Sequence, residues 1–242
     1  MGVTNFVNGI STDTAGEVGI FGAFPVVGNP TRTHTYFNDF DNYVSGDWVV
    51  VETAGGATQA TGTGDGGLLV LTNTTGNTDA NYMQLGAANT FNSFLMAAGK
   101  KAVFETRLKI DAAVSTLANV AVIAGLHVSN STDLAPTDGI YFIKPSGAAT
   151  VNVICRKNAS TGSTTATSIA TMVDDTFITL SWYYDGIDKV YYAVDGVIKG
   201  YLDGSSSYLP DTAITVSFGQ VNATTGAANV LTVDYVYAAK ER

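Results

Sequence analysis

Cleavage of a polysaccharide with retention of configuration requires two carboxylates about 5–5.5 Å apart, and Glu-x-Asp-x-x-Glu on one strand supplies them. The sequence holds no such run. Its four glutamates, Glu17, Glu52, Glu105 and Glu241, are scattered along the chain. Glu105 alternates with Arg107 and Lys109, which predicts a solvated ionic partner for one of those cations on an outer strand face. Asp39 and Asp41 share a face by period two, but the Asn42 that follows them favours a turn. His34 and His127 are the only histidines, too few for a three-ligand zinc centre, and no Cys-x-x-Cys supplements them. Asn130, Asp133 and Asp138 could offer loop oxygens to calcium, or simply form turns. No Gly-x-Ser-x-Gly elbow is present. The run Gly62-Thr63-Gly64-Asp65-Gly66-Gly67 lacks a following Lys and carries an acid that repels phosphate. The expectation is a protein without enzymatic activity, with no cofactor and no metal site.

What the chain has in quantity is aromatic surface: 12 Tyr, 11 Phe and 2 Trp among 242 residues. Tyr183, Tyr191 and Tyr201 fall opposite the apolar face of their strands, so they should point outward as a platform for sugar rings or a protein interface. A formal charge of -9 argues against binding nucleic acid backbone. A single cysteine cannot form an internal disulfide, and no stretch reaches the ~20 apolar residues of a membrane helix. Met1 to Ser11 contains no Lys or Arg, unlike the start of a secretory signal, so a reducing cytoplasm is the expected place of folding. Cys155 alternates with Val151 and Val153 and is expected to be buried and inert.

The elements that would hold these residues are strands. Residues 1–33 are Gly-, Asn- and Thr-rich without sustained periodicity and read as an extended arm, with residues 34–242 as the compact domain. Phe104, Leu108 and Ile110 oppose Glu105, Arg107 and Lys109 over Ala102–Ile110. Ile140–Ile143 and Val151–Arg156 flank a Pro145-Ser146-Gly147 turn. Phe177–Tyr184, Lys189–Val194 and Val197–Tyr201 form a meander turned by Asp185-Gly186 and Asp195-Gly196, the second as a type I′ hairpin. Ala213–Phe218 and Val230–Tyr237 follow. Earlier strands are expected at Tyr36–Phe40, Trp48–Val51, Leu68–Leu71 and Tyr82–Leu85. The one helical candidate is Asn89–Ala98, where Phe91, Phe94 and Leu95 are spaced at i, i+3 and i+4. Thr53–Gly67, Ser160–Ser168 and Asn222–Asn229 read as loops.

The run from Thr33 through His34-Thr35-Tyr36-Phe37-Asn38-Asp39-Phe40-Asp41-Asn42 to Tyr43, with Asp47-Trp48 close behind, resembles the opening of tailed-phage virion proteins with a concanavalin A-like jelly roll. Val103–Ile110 resembles the central strand of laminin-G-like and legume-lectin-like sandwiches, Trp182–Gly186 with Tyr192–Gly196 their paired hairpin strands, and Val233–Val236 their closing strand. The resemblance implies an all-β sandwich of two antiparallel sheets. It further implies a capsid decoration or cement protein on the virion surface, made in the host cytoplasm. Such a protein would bind the major capsid protein and assemble as a trimer or dimer. Its contacts would come from Phe6, Ile20, Phe21, Phe24 and Pro25 of the arm and from Tyr183, Tyr191 and Tyr201, read in that setting as interface before glycan platform. The alternative is a carbohydrate-binding module that attaches to surface glycan.

Overall fold

The computed structural model describes residues 31–53, 55–86, 93–112, 117–128, 134–159, 162–223 and 228–242. Within them run fifteen strands: β1 (Thr33–Asn38), β2 (Trp48–Glu52), β3 (Thr58–Gly62), β4 (Leu68–Thr72), β5 (Ala80–Leu85), β6 (Ala102–Asp111), β7 (Val120–His127), β8 (Gly139–Lys144), β9 (Thr150–Lys157), β10 (Gly162–Thr171), β11 (Ile178–Tyr184), β12 (Lys189–Val194), β13 (Val197–Asp203), β14 (Thr215–Asn222) and β15 (Val230–Glu241). All pairings are antiparallel. One sheet runs β13-β12-β11-β6-β15-β4-β3, with β1 added on β15, and the other runs β10-β9-β8-β7-β14-β5-β2. This is a concanavalin A-like jelly roll of two packed sheets.

Strand alternation builds the core between the layers. Trp182 of β11 is fully buried, stacks on Phe104 of β6 at 6.1 Å between ring centroids, and donates its indole N–H to Ile140 O of the opposite sheet at 3.1 Å. A Trp is tolerated at such depth because that donor is satisfied. Trp48, Phe40 and Phe218 close one end in a cluster of tilted and edge contacts. Cys155 lies on the same inner face, and burial pushes its thiol up to about 12.

Three features depart from the sequence reading. The two Thr-rich segments taken as loops contain β3 and β10, which are edge strands of the two sheets. With only one neighbour and much of their surface wet, they need no apolar alternation, so the periodic signal is missing. The described part of the helical candidate, residues 93–98, is not helical. Phe94 instead exchanges backbone hydrogen bonds with Ile214 at 2.9 and 2.8 Å, and its ring is buried while Leu95 is exposed. Finally, the two meander turns differ: Asp195-Gly196 forms the expected tight hairpin with both φ positive, 50° and 78°, whereas Asp185-Gly186 does not. The Asp185 turn is wider: Asp185 Oδ1 accepts N–H groups from Ile187, Asp188 and Lys189.

Candidate functional site

The outer face of the eight-stranded sheet is carpeted with tyrosine. On β11 the core takes Leu180, Trp182 and Tyr184, which leaves Ser181 and Tyr183 on the far side. Register places Tyr183 opposite Tyr191 of β12, and Tyr191 opposite Tyr201 of β13. Their ring centroids are 6.3 and 5.9 Å apart. Tyr183 is nearly buried, Tyr191 half-buried, and Tyr201 is 59% exposed. The Lys189 ammonium lies 5.0 Å from the centre of the Tyr201 ring, a cation–π contact. Inward along the same row lie Val103, Ala239 and Thr35, of which Val103 and Ala239 are buried beneath the aromatic layer.

A parallel row starts at Phe37 of β1, which is 58% exposed, and continues through Tyr237, Glu105, Ser181 and Ala193. Phe37 touches Tyr235 and Tyr237 at 6.4 and 6.5 Å between centroids. Between the aromatic ends sits Glu105, and its Oε1 accepts the Tyr235 hydroxyl at 2.8 Å. Burial raises the Glu105 carboxyl above its ordinary range, with the Tyr235 hydrogen bond partly offsetting it. Burial and the adjacent Glu105 charge raise Tyr235, and burial lifts Tyr183 to about 12, so these phenols remain neutral donors. The expected ionic partnership of Glu105 with Arg107 or Lys109 is not formed. A bulge at Asp234 of β15 brings that carboxylate to Arg107, and Asp175 takes Lys109. With strands about 4.8 Å apart, β1 to β13 span roughly 24 Å. Flat rings, hydroxyl donors and one carboxylate acceptor are the contacts a sugar chain uses: stacking on its C–H faces and hydrogen bonds to its hydroxyls.

The outer face of the seven-stranded sheet is built differently. Its central row runs Gln84, Ser217, Gly125, Tyr141 and Ile154, and beside it stand Thr215, His127 and Gly139. The glycines are required by close approach: a Cβ on Gly125 would meet Ile140 O and Tyr141 Cα at 2.5 Å. Tyr141 is fully buried and His127 is 4% exposed, although both point away from the core. Their rings meet edge-on at 5.9 Å and 75°. His127 Nδ1 lies 2.8 Å from Val128 O, and because a carbonyl only accepts, Nδ1 carries the proton and Nε2 the lone pair. Nε2 has no hydrogen-bond partner among the described residues. Burial lowers the imidazole to about 4, so it is neutral at physiological pH.

Sequence reasoning weighed His127 only as a zinc ligand and missed this pair. No alternation marks the position, because Val120–Leu126 is apolar throughout; the pairing of β7 with β8 and β14 is what puts His127 on the face of Ile123 and Gly125. Of the remaining candidates, Phe6, Ile20, Phe21, Phe24, Pro25, Asn130 and Asp133 lie outside the described residues. Asp138 is 4% exposed, and its Oδ1 accepts the Asn158 N–H at 3.0 Å. Asp39 and Asp41 follow the end of β1 in a turn where Asn38 Oδ1 accepts the Phe40 N–H. His34 packs on the Phe94 ring at 4.8 Å between centroids. Among the described residues no three of His, Cys, Asp and Glu gather as a metal site.

No protein family matches the sequence, and no curated protein does. Solved structures match by shape. An endo-1,3-β-glucanase from Streptomyces sioyaensis is 14% identical and superposes with a TM-score of 0.63 over 88% of this chain and 98% of its own. An endo-β-1,4-glucuronan lyase from Trichoderma reesei is 12% identical, with a TM-score of 0.56 over 85% and 94%. The carbohydrate recognition domain of Emp46p is 10% identical, with a TM-score of 0.51 over 83% and 94%. At these identities the likeness is one of fold. It corrects the virion reading: the jelly roll is shared with carbohydrate-cleaving and carbohydrate-recognising proteins. The expectations of a capsid decoration protein, a major capsid partner with trimeric or dimeric assembly, and a virion location therefore fall. The opening motif builds the sandwich itself: strand β1, the turn where Asn38 Oδ1 accepts the Phe40 N–H, and Trp48 buried at the start of β2. The expectation of no enzymatic activity falls with them, since this fold serves glucanases and a lyase.

Proposed function

We propose that this protein recognises a carbohydrate chain on the outer face of its eight-stranded sheet. The observation that carries the reading is the aligned Tyr183, Tyr191 and Tyr201 row, which ends in an exposed ring. A saccharide laid along it would stack on Tyr191 and Tyr201 and reach Glu105 and the Tyr235 and Tyr237 hydroxyls. The fold likeness to a carbohydrate recognition domain supports it. Affinity electrophoresis through gels containing β-glucans and uronate polymers tests it. Retardation of the protein by one polymer, weakened in Tyr191→Ala and Tyr201→Ala, is expected; unretarded migration in every gel would sink the idea.

A further inference from the structure

At one end of the sandwich the β4–β5 and β14–β15 connections come together around five amide and carboxylate side chains. Asn73 follows β4, Asp79 precedes β5, Gln220 and Asn222 belong to β14, and Asn229 precedes β15. Each is at most 2% exposed. They form one network. Asn73 Nδ2 donates to Asp79 O at 2.8 Å and Asn222 Oδ1 at 3.0 Å, and Asn229 Nδ2 donates to Asn222 Oδ1 at 2.7 Å. Gln220 Nε2 donates to Leu71 O at 2.8 Å and Asn229 O at 3.0 Å. Asp79 Oδ2 accepts the Thr74 N–H and hydroxyl at 2.6 and 2.7 Å.

Every amide nitrogen here faces a carbonyl oxygen, so no amide can be turned over without setting oxygen against oxygen. That fixes where the other atoms point. Asn73 Oδ1, Asp79 Oδ1, Gln220 Oε1 and Asn229 Oδ1 are all buried without a hydrogen-bond partner among the described residues. Four unsatisfied acceptors in one network, one of them a carboxylate oxygen, form an excess of oxygen lone pairs that no donor among the described residues answers. Buried polar atoms in native proteins are satisfied, and a water or an ion supplies what the chain does not.

We propose that this end of the sandwich is a site for a hard cation, calcium or an alkali metal, bound by Asp79 and the side-chain oxygens of Asn73, Gln220 and Asn229. All-oxygen ligation selects such ions over softer metals. A single carboxylate among neutral carbonyls sets a weak site, with a calcium Kd on the order of 10⁻⁴–10⁻³ M. Because the ligands come from two connections, the ion ties the β4–β5 turn to the β14–β15 turn, and its binding registers as stability. The site lies apart from both outer faces, so its test stands or falls independently of carbohydrate binding.

The full chain is stripped with chelator, analysed for metal before and after, and melted in about 10 mM CaCl₂, in KCl and in choline chloride. Expected is a rise of about 3–5 °C with calcium, or a rise with potassium alone if the ion is monovalent, in either case lost in Asp79→Asn. Terbium luminescence on the wild-type chain, displaced by calcium, reports the divalent ion without relying on the variant folding. Melting points equal in all salts, no bound metal and no terbium signal would mean that the four oxygens are met by water, and would overturn the assignment.

Discussion

The two outer faces of this sandwich use the same device, aromatic rings laid over small residues, to opposite ends. On the eight-stranded sheet the rings of Tyr183, Tyr191 and Tyr237 cover Val103, Ala193 and Ala239, and the layer ends in the exposed Tyr201 and Phe37. On the seven-stranded sheet Tyr141 is itself sealed, over a Gly125 with no room for a methyl group. The first face has surface to offer a ligand, and the second has a desolvated histidine. The difference teaches that ring exposure and titration behaviour are set by what lies above a strand, not by the residue types on it.

That contrast can be broken most forcefully at Gly125. Gly125→Val drives a side chain into the backbone of β8, so a loss of about 3 kcal/mol is expected in chemical denaturation, where Ala193→Val on the other face has only rings to displace and should lose less. Comparable losses would erase the difference in packing.

His127 sharpens it through pH. Its folded value of about 4 lies below the ordinary 6.5, so between these values the unfolded chain binds the extra proton. Stability from this group is therefore complete above about pH 6.5 and falls as pH drops toward 4, by about 3 kcal/mol in all. Unfolding of His127→Gln, followed over the same window, should lack that slope; an unchanged slope would place the acid sensitivity elsewhere.

Smaller effects belong to the exposed face. Truncating Tyr191 together with Tyr201 should weaken glycan retention about tenfold, roughly 1.4 kcal/mol, with the fold intact by circular dichroism. Tyr235→Phe removes a hydrogen bond to the Glu105 carboxylate and should cost about 1 kcal/mol near neutral pH, fading once Glu105 is protonated. Smallest is Tyr201→Ala alone, whose unfolding midpoint should move by less than about 0.5 kcal/mol equivalent because its ring is mostly in water; a larger loss would make the platform structural.

The sequence determined the meander and most strands of the eight-stranded sheet, but not β7 at the centre of the other, whose run Val120–Leu126 is apolar throughout and shows no alternation. Period two over Ala102–Ile110 and Phe177–Tyr184 and the φ-permissive Asp195-Gly196 turn are local facts, so the meander and its inner face follow from neighbouring residues alone. Edge strands β3 and β10 escaped because a strand with one neighbour is not required to alternate. Lys144 shows the same limit: it occupies an inner position at the end of β8, yet its ammonium reaches back to Leu117 O and Val120 O. The site was legible only in part. Tyr183, Tyr191 and Tyr201 could be placed on a common face, but the Glu105–Tyr235 bond spans 130 positions, and the Asn73–Asn222 bond spans 149. Residue types and spacing decide which way a side chain points; only the closing of distant strands on one another decides what it meets and how much water remains there.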